Sequence, residues 1–241
     1  MPAGRPEPRP ATPATPAVPA VPAIITDAGR QMRAPWAASI AGLLFSVLFT
    51  TAFVLVRSQP MLGATDAELV WQFATGQDIG ALIGGLYLGP FAGIMFLWFI
   101  AVIRDQIGER EDRFFATVFF GSGLLFVAVL FVTMAVTSWP VVAVRYMEQV
   151  APSAREMELT RALSYTLIFG FATRAAAVFL IAMSTIGLKS GVFPRWFAQA
   201  GYVVGAALLL VVAFWDWIIL VLPVWIALVS LYILRRERSR R

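Results

Sequence analysis

Cysteine and histidine are both missing from this chain, and lysine occurs once, at Lys189. Without cysteine there is no disulfide, no thiolate nucleophile and no thiolate metal site. Without histidine the usual general base, the usual haem ligand and the commonest metal ligand disappear together. No metal and no cofactor is therefore expected. Lys189 falls in a connection between apolar runs, where a Schiff base buried in a helix would not form. Charge is also scarce. Asp, Glu, Lys and Arg make up 14% of the chain, against about 25% in a soluble domain. Enzyme fingerprints are missing as well: there is no Walker A loop, GxGxxG, HExxH or GxSxG. The paired acids Glu156 and Glu158 sit among Arg155 and Arg161 and read as solvated charges. A catalytic function would have to run on Asp, Glu, Arg or Tyr alone, so the chain reads as a non-enzyme.

What the sequence has instead is hydrocarbon. Of its 241 residues, 59% are hydrophobic, and the mean hydropathy is +0.78. These residues are gathered into long runs: Trp36 to Val56, Ile79 to Ile103, Phe114 to Trp139, Ala162 to Leu188, and the block Trp196 to Leu234. A helix crossing the hydrocarbon needs about 20 residues at about 1.5 Å each. The first four runs meet that length. The last is too long for one crossing, because tilt absorbs only a few residues. Asp216, between Trp215 and Trp217, divides it into two similar halves, and both residue types favour the interface or water. A turn is expected there. The predicted fold is an all-α integral membrane bundle of about six transmembrane helices, since only spans that satisfy their own backbone survive in lipid.

Three regions follow. Residues 1–34 form a Pro/Ala-rich tail in which the stretch Ala11 to Ala23 repeats a Thr/Val-Pro-Ala pattern. Proline fixes φ and removes donors, so this tail is expected to be disordered, and it lacks the apolar core of a signal peptide. Residues 35–235 form the six-helix domain, and 236–241 a basic tail. Arginines and the one lysine set the orientation. Arg30 and Arg33, then Arg104, Arg110 and Arg113, then Lys189 and Arg195, then the C-terminal cluster Arg235–Arg241 all fall on one side. The other side holds Arg57, Arg145, Arg155 and Arg161. The positive-inside bias places both termini in the cytoplasm and the protein in the plasma membrane. The net charge of +5 therefore points to the bilayer, with anionic lipid head groups at the basic cytoplasmic ends, and not to nucleic acid.

Within this frame a few residues stand out. Gly85, Gly89 and Gly93 form a small-xxx-small ridge, and Gly201 and Gly205 repeat the spacing. Such glycines let helix backbones approach closely in lipid. Close packing is the favoured reading over a mobile helix kinked at Pro90. Arg174 lies midway along the fourth run, where a charge costs about 2.5–3.5 kcal/mol on insertion scales. A partner or a watery cavity is expected. Helical side chains lean toward the helix N-terminus, so Arg174 should reach toward Asp78 or Asp216, with Asp78 favoured. Its functional version is a contact to an anionic or polar ligand; its alternative is a structural charge that snorkels. Thr65 with Glu68 and Ser153 with Glu156 have capping-box spacing, and the second cap starts the fourth helix near Ala154. Two functions remain open. One is a small transporter or solute-binding protein that uses Arg174. The other is a non-catalytic subunit that meets a membrane-protein partner through the glycine ridge and the loop Arg104–Arg113.

The segments Thr173-Arg-Ala-Ala-Ala-Val-Phe and Met183-Ser-Thr-Ile-Gly-Leu-Lys-Ser-Gly-Val-Phe-Pro-Arg-Trp196, with Gly108-Glu-Arg-Glu-Asp-Arg-Phe-Phe-Ala-Thr-Val-Phe119, resemble a group of uncharacterised actinobacterial multi-span membrane proteins. The similarity covers roughly Trp36 to Leu234. It implies a six-span membrane protein, and implies neither an activity nor a cofactor.

Overall fold

Every regular element among the described residues is helical. The computed structural model describes residues 35–57, 65–107, 113–210 and 216–238, without the side chains of 35, 105–107, 113, 216, 237 and 238. The Pro/Ala-rich segment 1–34, the loop residues 108–112 and the last three arginine-rich positions lie outside that set. In chain order the elements are α1 (Pro35–Arg57), α2 (Asp66–Thr75), α3 (Ile79–Leu82), a π-helical stretch (Ile83–Leu88), α4 (Gly89–Ile107), α5 (Arg113–Tyr146), α6 (Ala154–Tyr165), a second π-helical stretch (Thr166–Ala172), α7 (Thr173–Lys189), α8 (Arg195–Leu210), a 3-10 stretch (Asp216–Leu220) and α9 (Val221–Arg238). The pieces from α3 to α4 join into one rod, and those from α6 to α7 into another.

Five stretches are long and apolar enough to cross a membrane: Trp36–Arg57, Ile79–Arg104, Phe114–Tyr146, Ala154–Lys189 and Trp217–Arg236. Two boundaries differ from the sequence reading or refine it. The third run does not stop at Trp139; α5 continues through Pro140 to Tyr146. Its 34 residues at about 1.5 Å each give roughly 50 Å, well beyond a hydrocarbon core of about 30 Å. Proline is tolerated in such a helix where neighbouring elements hold it in place. The fourth rod begins at Ala154, directly after the Ser153 cap.

The block from Trp196 to Leu234 folds back on itself. Phe197, near the start of α8, stacks on Trp225 at 4.8 Å and on Tyr232 at 5.7 Å, both in α9. A continuous rod would hold Phe197 and Trp225 roughly 40 Å apart. The turn therefore lies between Leu210 and Asp216, and residues 211–215 are outside the described set. Described α8 is 16 residues long, short of the roughly 20 that a crossing needs. Pro223 stands in the first turn of α9, where its missing N–H costs nothing. The carbonyl of Pro223 accepts a 2.8 Å hydrogen bond from the Ser46 hydroxyl of α1.

Helix α1 packs between α4 and α9, α4 packs on α5, α5 on α7, and α7 on α8. The centre is built of phenylalanine. Phe96 is fully buried, with ring centroids 4.6 Å from Phe45, 5.4 Å from Phe126 and 5.0 Å from Phe179. Tilted and edge-on contacts at these distances suit the aromatic quadrupole. Around this core the outward surface stays apolar: Val47, Leu125, Phe171, Val203 and Val224 are all exposed. Apolar exposure on this scale is not stable in water and suits a lipid environment.

Candidate functional site

Apart from Arg174 in mid-span, the charged side chains among the described residues gather toward the ends of the long helices. At one end Lys189 lies over the Phe115 ring at 4.3 Å and Arg104 over Phe120 at 5.1 Å. Arg236 donates to the carbonyls of Gly191 and Val192 there, at 3.3 and 2.6 Å. The last turns of α4, α7 and α9 thus gather their cations around the first turns of α5 and the α7–α8 turn. The opposite end holds Arg57, Arg145 and Arg161 together with the two capped helix starts.

Both capping boxes are present. The Thr65 N–H donates to Glu68 Oε2 at 2.7 Å while the Glu68 N–H donates back to the Thr65 hydroxyl. Donation from the Thr65 N–H, and from the Thr65 hydroxyl at 3.0 Å, holds the Glu68 carboxyl below its ordinary pKa range. Ser153 and Glu156 repeat the arrangement, with 2.8 Å from the Ser153 N–H to Glu156 Oε2. The two caps are tied together: the Ala154 N–H donates to Asp66 Oδ1 at 2.6 Å. Helix α2 ends at Gly76, whose φ of 77° is the left-handed conformation that only glycine adopts without strain.

Asp78 is fully buried, and its partner is Arg145, not Arg174. Arg145 Nη2 lies 2.6 Å from Asp78 Oδ1, and Nε lies 2.9 Å from Oδ2, a two-point guanidinium–carboxylate pair. Nη2 also donates to the Phe73 carbonyl at 2.9 Å, so one arginine ties α5 to the end of α2 and the start of α3. Arg145 escaped the sequence reading because the third run was ended at Trp139. The signal was the uninterrupted apolar stretch Val141–Val144, which carries the helix one more turn and a half.

Arg174 does lean toward the N-terminus of its helix, as side-chain geometry requires. Its Nη1 donates to the Phe169 carbonyl at 2.7 Å and to the Gly170 carbonyl at 2.8 Å. The reason is the π-helical stretch just before it. The Thr173 N–H bonds five residues back, to the Ile168 carbonyl. Where a π turn returns to α register, one carbonyl has no backbone donor left. The guanidinium fills that vacancy. Among the described residues Arg174 has no carboxylate partner. Asp216 opens the 3-10 stretch, and its side chain lies outside the described set.

The glycines are occupied inside the chain. Gly85 faces Ser138, Gly89 faces Met134 and Gly93 faces Phe131, all of α5. Gly201 faces Ser184 and Gly205 faces Ile181, both of α7. A ridge spent on its own neighbours has no face left for a second protein.

One feature was not visible in the sequence. Between α1, α3, α5 and the α6–π stretch lies a cavity of about 130 Å3, comparable to one that holds an aromatic ring or a short run of methylenes. Arg57 and Arg161 line it, and Arg161 is exposed, its guanidinium 5.3 Å from the Tyr165 ring centroid. Phe53, Met134, Met157 and Phe169 form buried walls. No Asp or Glu lines it, and neither does Arg174. Two arginines more than 100 residues apart in sequence, each in an unremarkable context, gave no warning that they would share a cavity.

Regular structure that is all helical among the described residues, with five membrane-length apolar helices, fits a protein embedded in a membrane. No protein-family model, curated protein or solved structure matches this chain. Among the described residues no group of three or more Asp or Glu is placed to hold a metal ion.

Proposed function

We propose that this is a six-span protein of the plasma membrane that binds an anionic ligand, with Arg161 as the contact. The carrying observation is the cavity: the exposed Arg161 lines it, and among the described residues no carboxylate does. Arginine offers a planar fork that fits carboxylate and phosphate. The proposal moves the ligand contact away from Arg174, which does not line the cavity and whose Nη1 is held by two backbone carbonyls. The ring contacts of Phe197 in α8 with α9 and the gathering of basic residues at one end support six spans with both termini cytoplasmic. That basic end would rest among anionic lipid head groups. Membership of the actinobacterial group named above is part of the same proposal and adds no activity to it. The reading as a partner subunit draws no support from the glycine ridge, which is filled by α5 and α7.

The test is thermal unfolding of the full-length protein in neutral detergent, followed by circular dichroism, with inorganic phosphate, sulfate and octyl phosphate added in turn. A ligand that binds only the folded state raises the midpoint. At least one of these anions should do so in the wild type and lose its effect in Arg161→Gln. A panel without effect, or an equal effect in the variant, rejects the proposal.

A further inference from the structure

We infer that α2 is an interfacial helix, whose outward stripe of Ala67, Val70, Trp71 and Ala74 rests in the lipid head-group layer at the Arg57–Arg145 end of the bundle. The inference requires the chain to be embedded in a bilayer. It requires neither the anion contact at Arg161 nor a crossing by α8.

Helix α2 is apolar on two sides. Inward, Leu69 and Phe73 are buried in a small cluster with Val141 of α5 and Met157 of α6. Outward, Ala67, Val70, Trp71 and Ala74 fall at positions i, i+3, i+4 and i+7, which is one side of a helix. All four are exposed, Val70 by 54% and Trp71 by 57%. The acids of α2, Asp66 and Glu68, are confined to its first turn, and no charged residue occurs from Leu69 to Thr75. A helix bathed in water carries charged and polar residues on the side away from the core. The outward side of α2 presents a valine and a tryptophan there.

The chain holds this helix at the depth where the spans begin. Only Gly76, Gln77 and Asp78 separate it from the rod that starts at Ile79. Its start is fixed by the 2.6 Å bond from the Ala154 N–H to Asp66, and its last turn by the 2.9 Å bond from Arg145 to the Phe73 carbonyl. On the rod, a side chain at Gly84 would meet Leu55 and Val56, just before Arg57 closes α1. From Gly84 out to Asp78 is about 9 Å of helix, so α2 ends near the level of Arg57, where the apolar run of α1 stops. The rod carries the same kind of surface from its first turn: Ile79, whose side chain lies beside Gly76, and Ile83 are both exposed. At that depth the surrounding medium is the head-group layer. Tryptophan favours it, and an apolar helix face sinks about 5–10 Å into the boundary between head groups and acyl chains.

The test is spin-label accessibility in the full-length protein in phosphatidylcholine nanodiscs. The chain has no cysteine, so Val70→Cys, Ala74→Cys, Glu158→Cys and Leu125→Cys each carry a single nitroxide. Oxygen concentrates in lipid and a neutral nickel chelate in water. Glu158, exposed on α6, reports water, and Leu125, exposed in the middle of α5, reports lipid. At positions 70 and 74 the ratio of oxygen to nickel collisions should exceed that at 158 several-fold and approach that at 125. Both stripe positions are exposed, and one folded variant is enough. A stripe ratio no higher than that at 158 puts α2 in water and overturns the inference. Low access for both reagents at 70 and 74 means that a second copy or another protein covers the stripe, and overturns lipid as its partner. A water-like ratio at 125 as well removes the membrane reading itself, and this inference with it.

Discussion

Two arginines that sit deep in apolar sequence solve the same problem differently. Arg145 is bound to a carboxylate, and Arg174 to backbone carbonyls. The Asp78–Arg145 pair is asymmetric: the Asp78 side chain is fully buried while that of Arg145 is 39% exposed. Removing the arginine strands a buried carboxylate, whereas removing the charge of Asp78 frees an arginine that can swing into water. Arg145→Ala should therefore destabilise by about 3 kcal/mol and Asp78→Asn by about 1 kcal/mol. Thermal melts of the two variants and of the double variant in the same detergent would show this order, and the double variant should lose less than the sum. Arg174→Leu removes two carbonyl bonds and should lower stability by about 1–3 kcal/mol without changing octyl phosphate binding. Arg174→Lys should recover part of the loss. A fall in ligand affinity with unchanged stability would return Arg174 to the binding role. The sequence made Arg174 conspicuous because a charge in mid-span is expensive. It could not show the partner, because the π turn that frees the carbonyl is set by packing and carries no residue signature.

At the scale of elements the sequence was legible wherever the signal was local. Both capping boxes involve residues three apart, and both formed, so the start of α2 and the start of α6 could be read directly. That the last block folds back was legible from its length; the turn expected at Trp215–Trp217 falls partly on residues outside the described set, and Asp216 and Trp217 already belong to a 3-10 helical stretch. What was not local was lost. The end of α5 depended on a bond to Asp78, 67 positions away. The first π stretch has a local cause in Pro90, which cannot donate to the carbonyl four residues back and displaces it. The Gly89 N–H bonds five residues back, to the Gly84 carbonyl, directly before that proline. The glycines test whether close approach is the reason for their presence. A side chain at Gly85 would run into the Ser138 hydroxyl and at Gly205 into Ile181 and the Ala177 carbonyl, while around Gly121 there is open space. Gly85→Val should prevent recovery of folded protein or lower the unfolding midpoint by several degrees. Gly121→Ala, exposed in the middle of α5, should be neutral or stabilising by up to about 1 kcal/mol. Equal effects of the two would mean that helix propensity, and not the crossing of α5, explains the ridge.

For the whole molecule the decisive quantity is the parity of crossings. The described helices supply five membrane-length stretches, and α8 packs against α7 as a further leg, with its Phe197 stacked on Trp225 and Tyr232 of α9. If α8 crosses, the count is even and both termini share a side. If it lies short of a crossing, the terminal arginines end up opposite the tail that precedes α1. The two arrangements differ in energy through the arginines alone. In the first, Arg104, Lys189 and the C-terminal cluster share the cytoplasmic face; in the second, the cluster at Arg235–Arg241 would have to cross against the positive-inside rule. The chain offers an unusually clean test because it has no cysteine of its own. Single substitutions Ala151→Cys, Ser190→Cys and Ser239→Cys place one thiol each in the α5–α6 connection, the α7–α8 turn and the C-terminal tail. In intact cells a membrane-impermeant maleimide should label Ala151→Cys and leave the other two untouched until the membrane is opened. Labelling of Ser239→Cys from outside, with Ser190→Cys protected, would make the number of crossings odd and overturn the contact of Arg236 with the α7–α8 turn. The cavity would survive that outcome, because the Arg57–Arg161 end is built from α1, α3, α5 and α6 and owes nothing to α8.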